Sequence, residues 1–161
     1  MLPDPLHPAI VHFPIALAVL VPLLALGAVI AIRTGWMTTR IWLPVVLLQA
    51  LLVGSSWLAI ETGEEQEERV EDVVGDAPIH DHEEAAERFL ALSIAAGLLS
   101  ATGLLAGRWG AIGRVATLVA GAAVLAGGVS VGHSGGELVY VHDAGHVYAA
   151  PAQPAAAAQR E

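Results

Sequence analysis

The sequence predicts an all-α integral membrane protein: a four-transmembrane-helix up-down bundle with an extramembrane acidic helical hairpin. Three observations predict it. Residues 13–32 and 41–60 are uncharged runs of 20 residues each, 89–107 is one of 19 and 115–132 one of 18. About 20 apolar residues of helix cross a hydrocarbon core of about 30 Å. Composition agrees, with 55% hydrophobic and 14% charged residues, no lysine and a mean hydropathy of +0.64; a soluble domain carries about 25% charged residues. Third, the charges segregate between alternate connections.

The first run is read as a retained span. A secretory signal peptide opens with a basic region, whereas the flank MLPDPLHP carries Asp4 and no base. Pro14 and Pro22 free the carbonyls of Ile10 and Ala18, so a bend in the first helix is expected. Spans are expected at about 9–32, 41–61, 86–107 and 112–132. Small residues recur four apart at Ser93, Gly97 and Ala101, at Gly103 and Gly107, at Ala50 and Gly54, and at Gly128 and Gly132. Such spacing lets helices approach closely in lipid. It either packs the helices alone or leaves room between them for a flat cofactor.

The gaps 33–40 and 108–114 contain Arg33, Arg40, Arg108 and Arg114 and no acid, hence +4. The opposite side holds all 16 acids against Arg69, Arg88 and Arg160, leaving −13. Basic short loops stay cytoplasmic. The expectation is a multi-pass protein of a bacterial inner membrane, with both termini and the acidic gap periplasmic.

The acidic gap 61–88 reads as a helical hairpin turning at Gly75. Glu61, Glu65, Glu68 and Asp72 share one helical face continuing from the second span, and Asp76 with Pro78 resembles a helix start. Residues 133–147 combine a glycine turn with the run LVYV, and are expected to fold back as an outward cap. The tail 148–161, rich in Ala and Pro, reads as disordered.

All seven histidines fall on the acidic side: His7, His12, His80, His82, His133, His142 and His146. His12 stands at the mouth of the first span, where an imidazole needs a partner. His133 leaves the fourth span on the same face. His12, His82 and His133 either share a ligand or each bond to a backbone carbonyl. His80 and Glu83, at i and i+3, could chelate a metal with His82, His7, His142 and the helix-two carboxylates Glu65 and Glu68; the alternative is a solvated acidic hairpin. Imidazole with carboxylate suits zinc, iron, copper or manganese. Cysteine is absent, which excludes disulfides, thiolate sites and c-type haem attachment. No phosphate loop, dinucleotide fingerprint or nucleophile elbow occurs, so no catalytic residue is assigned and a non-enzymatic role is expected. The acidic outer side argues against nucleic acid as a partner.

Four segments, LHPAIVHFPIAL (6–17), TGEEQEE (62–68), HEE (82–84) and GHSGGELVYVHDAG (132–145), resemble the bacterial membrane family called domain of unknown function 2231. The resemblance covers nearly the whole chain except the tail. It implies four spans, and because related domains are joined to Rieske-type redox modules, a likeness to membrane b-type cytochromes. It thereby implies electron transfer or redox sensing, with haem b at the outer edge, His12 and His133 or His82 as axial ligands, and a periplasmic redox protein or a larger membrane complex as partner. This chain departs from such cytochromes in having no histidine near mid-membrane. Divalent metal handling, and a structural role within a larger complex or homo-oligomer, are the other two readings.

Overall fold

A computed structural model describes residues 5–148; the tail from 149 onward lies outside the described residues. The described chain is helical throughout: α1 (His7–Ile10), α2 (His12–Arg33), α3 (Leu43–Val74), α4 (Asp76–Thr102) and α5 (Gly107–Tyr140), with 3-10 turns at Thr39–Trp42 and Ala144–Tyr148. Four of the helices are long and apolar enough to cross a membrane. Each packs against its neighbour in sequence, and α5 closes the ring against α2.

The interior of this bundle is small and polar, and its exterior is large and apolar. Leu52, Phe89 and Val124 share the core with alanines and with buried Gln49, Ser56, Ser93, Ser100 and Thr117. Phe13, Leu23, Leu47, Leu98, Val119 and Val129 point outward. The buried hydroxyls of Ser56, Ser100 and Thr117 donate to carbonyls of their own helix. Gln49 Nε2 instead crosses from α3 to donate to the Ser93 carbonyl of α4 at 3.2 Å.

Inward-facing positions, buried or half-buried, repeat every seven residues. His7, Pro14, Val21 and Ala28 follow one line, Trp42, Gln49, Ser56 and Gly63 a second, and His82, Phe89, Ala96 and Gly103 a third. On α5 the line is Arg114, Gly121, Gly128 and Gly135. A seven-residue period keeps one stripe of each helix on the bundle axis over its full length.

The expected boundaries shift in three places. The first helix breaks at Val11, three residues before Pro14, whose missing N–H leaves the Ile10 carbonyl without its helical donor. The third span ends at Thr102 rather than 107, and 108–114 is the opening of α5 rather than a loop. The reason is a tight corner. Arg114, only 7% exposed, donates through Nη1 to the Gly103 carbonyl at 2.6 Å, so its cation caps the negative end of α4. Fully buried Trp42 donates to the Ser100 carbonyl at 2.9 Å alongside it. Last, 132–140 is no glycine turn. α5 runs through GHSGGELVY to Tyr140, and only then does the chain fold back, with Ala144 buried and the Tyr148 hydroxyl bonded to Gln66 Oε1 on α3. The turn between α3 and α4 falls at Gly75, with φ of +79°, a conformation open to glycine.

Candidate functional site

The bundle's inward stripes bring two imidazoles together at its acidic end. His7 reaches from α1 and His82 from α4, with ring centroids 6.5 Å apart and planes at 87°. Both are half-buried, and both lie before the uncharged runs of their helices.

Each ring is held on one nitrogen. His7 Nδ1 lies 2.8 Å from the Ala59 carbonyl of α3, and since a carbonyl only accepts, the proton sits on Nδ1. Thr62 Oγ1 stands 3.5 Å from the same nitrogen. His82 Nδ1 lies 2.9 Å from Ser134 Oγ of α5. The Ser134 hydroxyl also stands 3.1 Å from the Val131 carbonyl, to which it donates when His82 Nδ1 carries the ring proton. His7 is therefore an Nδ1–H tautomer. Neither Nε2 has a hydrogen-bond partner among the described residues.

Two mid-helix glycines make the space. A Cβ added at Gly63 would stand 3.2 Å from His7 Cε1, and one at Gly135 would stand 3.0 Å from His82 Cε1. This explains why Gly63 does not interrupt α3: it is the face on which the His7 ring rests. The pair thus joins α1, α3, α4 and α5 at one end.

Burial pushes the His82 imidazole below the usual range, and the neighbouring His7 adds to the effect. Burial lowers His7 as well, partly offset by its bond to Ala59. Neutral rings with a bare Nε2 are in the protonation state that metal ligation requires.

The other site residues expected from the sequence do not meet here. His12 lies on the exposed side of α2, lining a shallow cleft with Phe13, Ala16, Leu17 and Leu51. Its separation from His7 explains this, since five residues turn a helix by about 140°. His133 is exposed on α5, its Nε2 3.5 Å from Glu137 Oε1 one turn on. The trio His12, His82 and His133 is therefore replaced by the pair His7 and His82. His80, Glu65 and Glu68 are exposed, and His142 follows the end of α5. Among the described residues, no group of three or more His, Asp or Glu side chains is placed to hold a metal ion, so the wider metal set drawn from the hairpin does not converge.

On the hairpin, the carboxylates that bear on half-buried Glu83 are Glu67, Glu64 and Glu87, not Glu65 and Glu68. Burial first, then these charges, raise the Glu83 carboxyl above its usual range, with His80 opposing. The acidic stripe facing α4 is thus one residue off the stripe inferred from spacing. Sequence reasoning also missed Thr62, Gly63, Ser134 and Gly135 as parts of the site. The available signal was that they stand in the same short motifs, TGEEQEE and GHSGG, that had been singled out.

Comparison with family models, curated proteins and solved structures finds no match to this chain.

Proposed function

We propose that this chain is an integral membrane protein of a bacterial inner membrane, with both termini periplasmic, whose outer end binds a metal centre between His7 and His82 for electron transfer or redox sensing. The observation that carries the proposal is the pairing of two half-buried imidazoles at the acidic end, each held through Nδ1 by a neighbouring helix. Two neutral imidazoles are pinned through Nδ1 by a carbonyl and a hydroxyl, and both leave Nε2 unbonded. Outer partners on Nδ1–H orient a histidine ligand and raise its basicity. Haem iron and a bare transition-metal ion both accept two such nitrogens.

Insertion in a bilayer is supported by the inside-out distribution of side chains and by the indoles near the ends of the apolar helices. Trp36 and Trp109 are exposed at the arginine-bearing end, where Arg108 lies 4.8 Å over the Trp109 ring, and Trp57 is exposed toward the other. Trp concentrates at membrane interfaces. The resemblance to domain of unknown function 2231 supports the redox role, because each of its four motifs supplies part of the His7–His82 site. Electron transfer calls for an outward partner, either a periplasmic redox protein or a larger membrane complex.

A second reading, divalent metal-ion handling, is favoured by the negative charges of Glu67, Glu64 and Glu87 bearing on Glu83.

Absorbance and metal analysis of the purified protein test the proposal. A haem spectrum or one metal per chain, lost on His7→Ala and on His82→Ala but kept on His12→Ala, supports it. Neither haem nor stoichiometric metal overturns it. Orientation is tested separately, because the chain has no cysteine. A cysteine at Glu68 should react with an impermeant maleimide on intact cells, and one at Trp109 only after lysis.

A further inference from the structure

Resting on the reading of the four apolar helices as membrane spans, we infer that the arginine-bearing end holds one anionic phospholipid, with an acyl chain in a cleft beside α5 and the phosphate on Arg33. The cleft lies where the last residue of α2 meets the opening turns of α5. It has a volume of about 400 Å³ and is lined by Arg33, Ala111, Ile112, Val115 and Ala116. Positions i, i+1, i+4 and i+5 form one strip of a helix. Here two alanines stand beside the branched Ile112 and Val115, which leaves the strip hollowed rather than flat. Ala111, Ile112 and Val115 are exposed, so this strip is part of the lipid-facing surface.

The cleft has the polarity of a lipid. α5 opens at Gly107, and Trp109 is exposed in its first turn, at the level where indoles sit in a membrane interface. From there residues 111–116 run inward along about 7.5 Å of helix, enough for the glycerol-proximal part of one chain. Arg33 ends α2, and so stands at the interfacial side of the same cleft.

Charge identifies the headgroup. Arg33 is exposed, whereas Arg114 is committed to the Gly103 carbonyl and Arg108 lies over the Trp109 ring. No acid occurs in residues 5–60 or 88–136, so no carboxylate is near in sequence to either wall of the cleft. A second copy packed side by side would bring the same acid-free end, with arginine facing arginine. An anionic phospholipid instead brings a phosphate and an apolar chain together. Basic pockets between spans on the cytoplasmic side take such headgroups. The negative end of the α2 dipole accounts for a cation at Arg33; it does not account for the apolar cleft beside it.

The test uses the full chain in a neutral detergent, followed by thermal unfolding and native mass spectrometry. Phosphatidylglycerol, phosphatidylcholine with the same chains, and inorganic phosphate are added in parallel. The expected result is saturable stabilisation by one phosphatidylglycerol per chain, weakened by salt. Phosphatidylcholine should bind about fivefold more weakly, and inorganic phosphate should not stabilise. Arg33→Gln should weaken phosphatidylglycerol binding by about fivefold. Ala111→Leu, which fills the cleft from an exposed position, should weaken both lipids. Arg40→Gln, at the same end but outside the cleft, should change binding by less than about twofold. Equal binding of the two lipids, stabilisation by inorganic phosphate alone, an equal loss in Arg40→Gln, or no effect of Ala111→Leu would each overturn the site while leaving the spans standing. Release of the chain from membranes by alkaline carbonate would overturn the spans and the site together.

Discussion

His7 of α1 and His82 of α4 stand with ring centroids 6.5 Å apart, each Nδ1 hydrogen-bonded to a different neighbouring helix. Under the proposed function the pair serves both as ligands and as a packing element between helices. Substitution at either residue should separate these roles. His7→Ala removes one of the two proposed ligands and the bond to Ala59, and under the proposed function should abolish metal binding. His133→Ala, on an exposed ring whose nearest partner is Glu137 at 3.5 Å, should leave both metal content and thermal unfolding unchanged.

Gly63 and Gly135 set how closely the rings approach the helices. A methyl at Gly135 would stand 3.0 Å from His82 Cε1 and must push the ring. Gly135→Ala should weaken metal binding at least tenfold at a stability cost of about 1 kcal/mol. Gly132→Ala, with open space around it, serves as the control and should retain full affinity.

Acid should loosen this end in the metal-free protein. Both imidazoles are held below the ordinary value of about 6.5 by burial. The unfolded chain then binds more protons than the folded one below that value. Stability is full above about pH 6.5 and is lost as pH falls through the folded values. Thermal unfolding followed from about pH 7.5 to about pH 5 should show the fall, and His7→Gln should flatten it.

The hairpin tip behaves in the opposite sense. Asp76, then burial and the charges of Glu67 and Asp72, raise the Glu71 carboxyl above its usual range, the contact with Asp76 being a carboxyl–carboxyl hydrogen bond as well. The stability it contributes is full below the ordinary carboxylate value and is lost as pH rises through the raised one. Glu71→Gln keeps a side chain able to bond Asp76 and removes the repulsion. It should slow proteolysis at Gly75 at neutral pH and make no difference near about pH 4.

At the far end, Trp42, Gly103, Gly113 and Arg114 form the corner between α4 and α5. A Cβ at Gly113 would meet the Gly103 nitrogen at 2.8 Å, against backbone that cannot turn aside. Gly113→Ala should cost about 2 kcal/mol or more. Trp42→Phe keeps most of the buried ring and loses the bond to Ser100, which should cost about 1 kcal/mol. Denaturation in detergent measures both.

The four apolar helices, the acidic hairpin and the gathering of histidines at one end were legible in the sequence, because length, hydropathy and charge are properties of segments. The rotation of each helix was not. Runs apolar on every side carry no stripe to say which face turns inward, so His12, beside Phe13 at the mouth of the first run, looked as well placed as His7. The seven-residue lines through His7 and Pro14, His82 and Phe89, and Gly128 and Gly135 were present all along. They become readable only when the neighbouring helices show which stripe is buried. The sequence by itself determined which end of the bundle carries the imidazoles; the tertiary structure decided that His7 and His82 are neighbours, because close packing between helices selects one rotation of each.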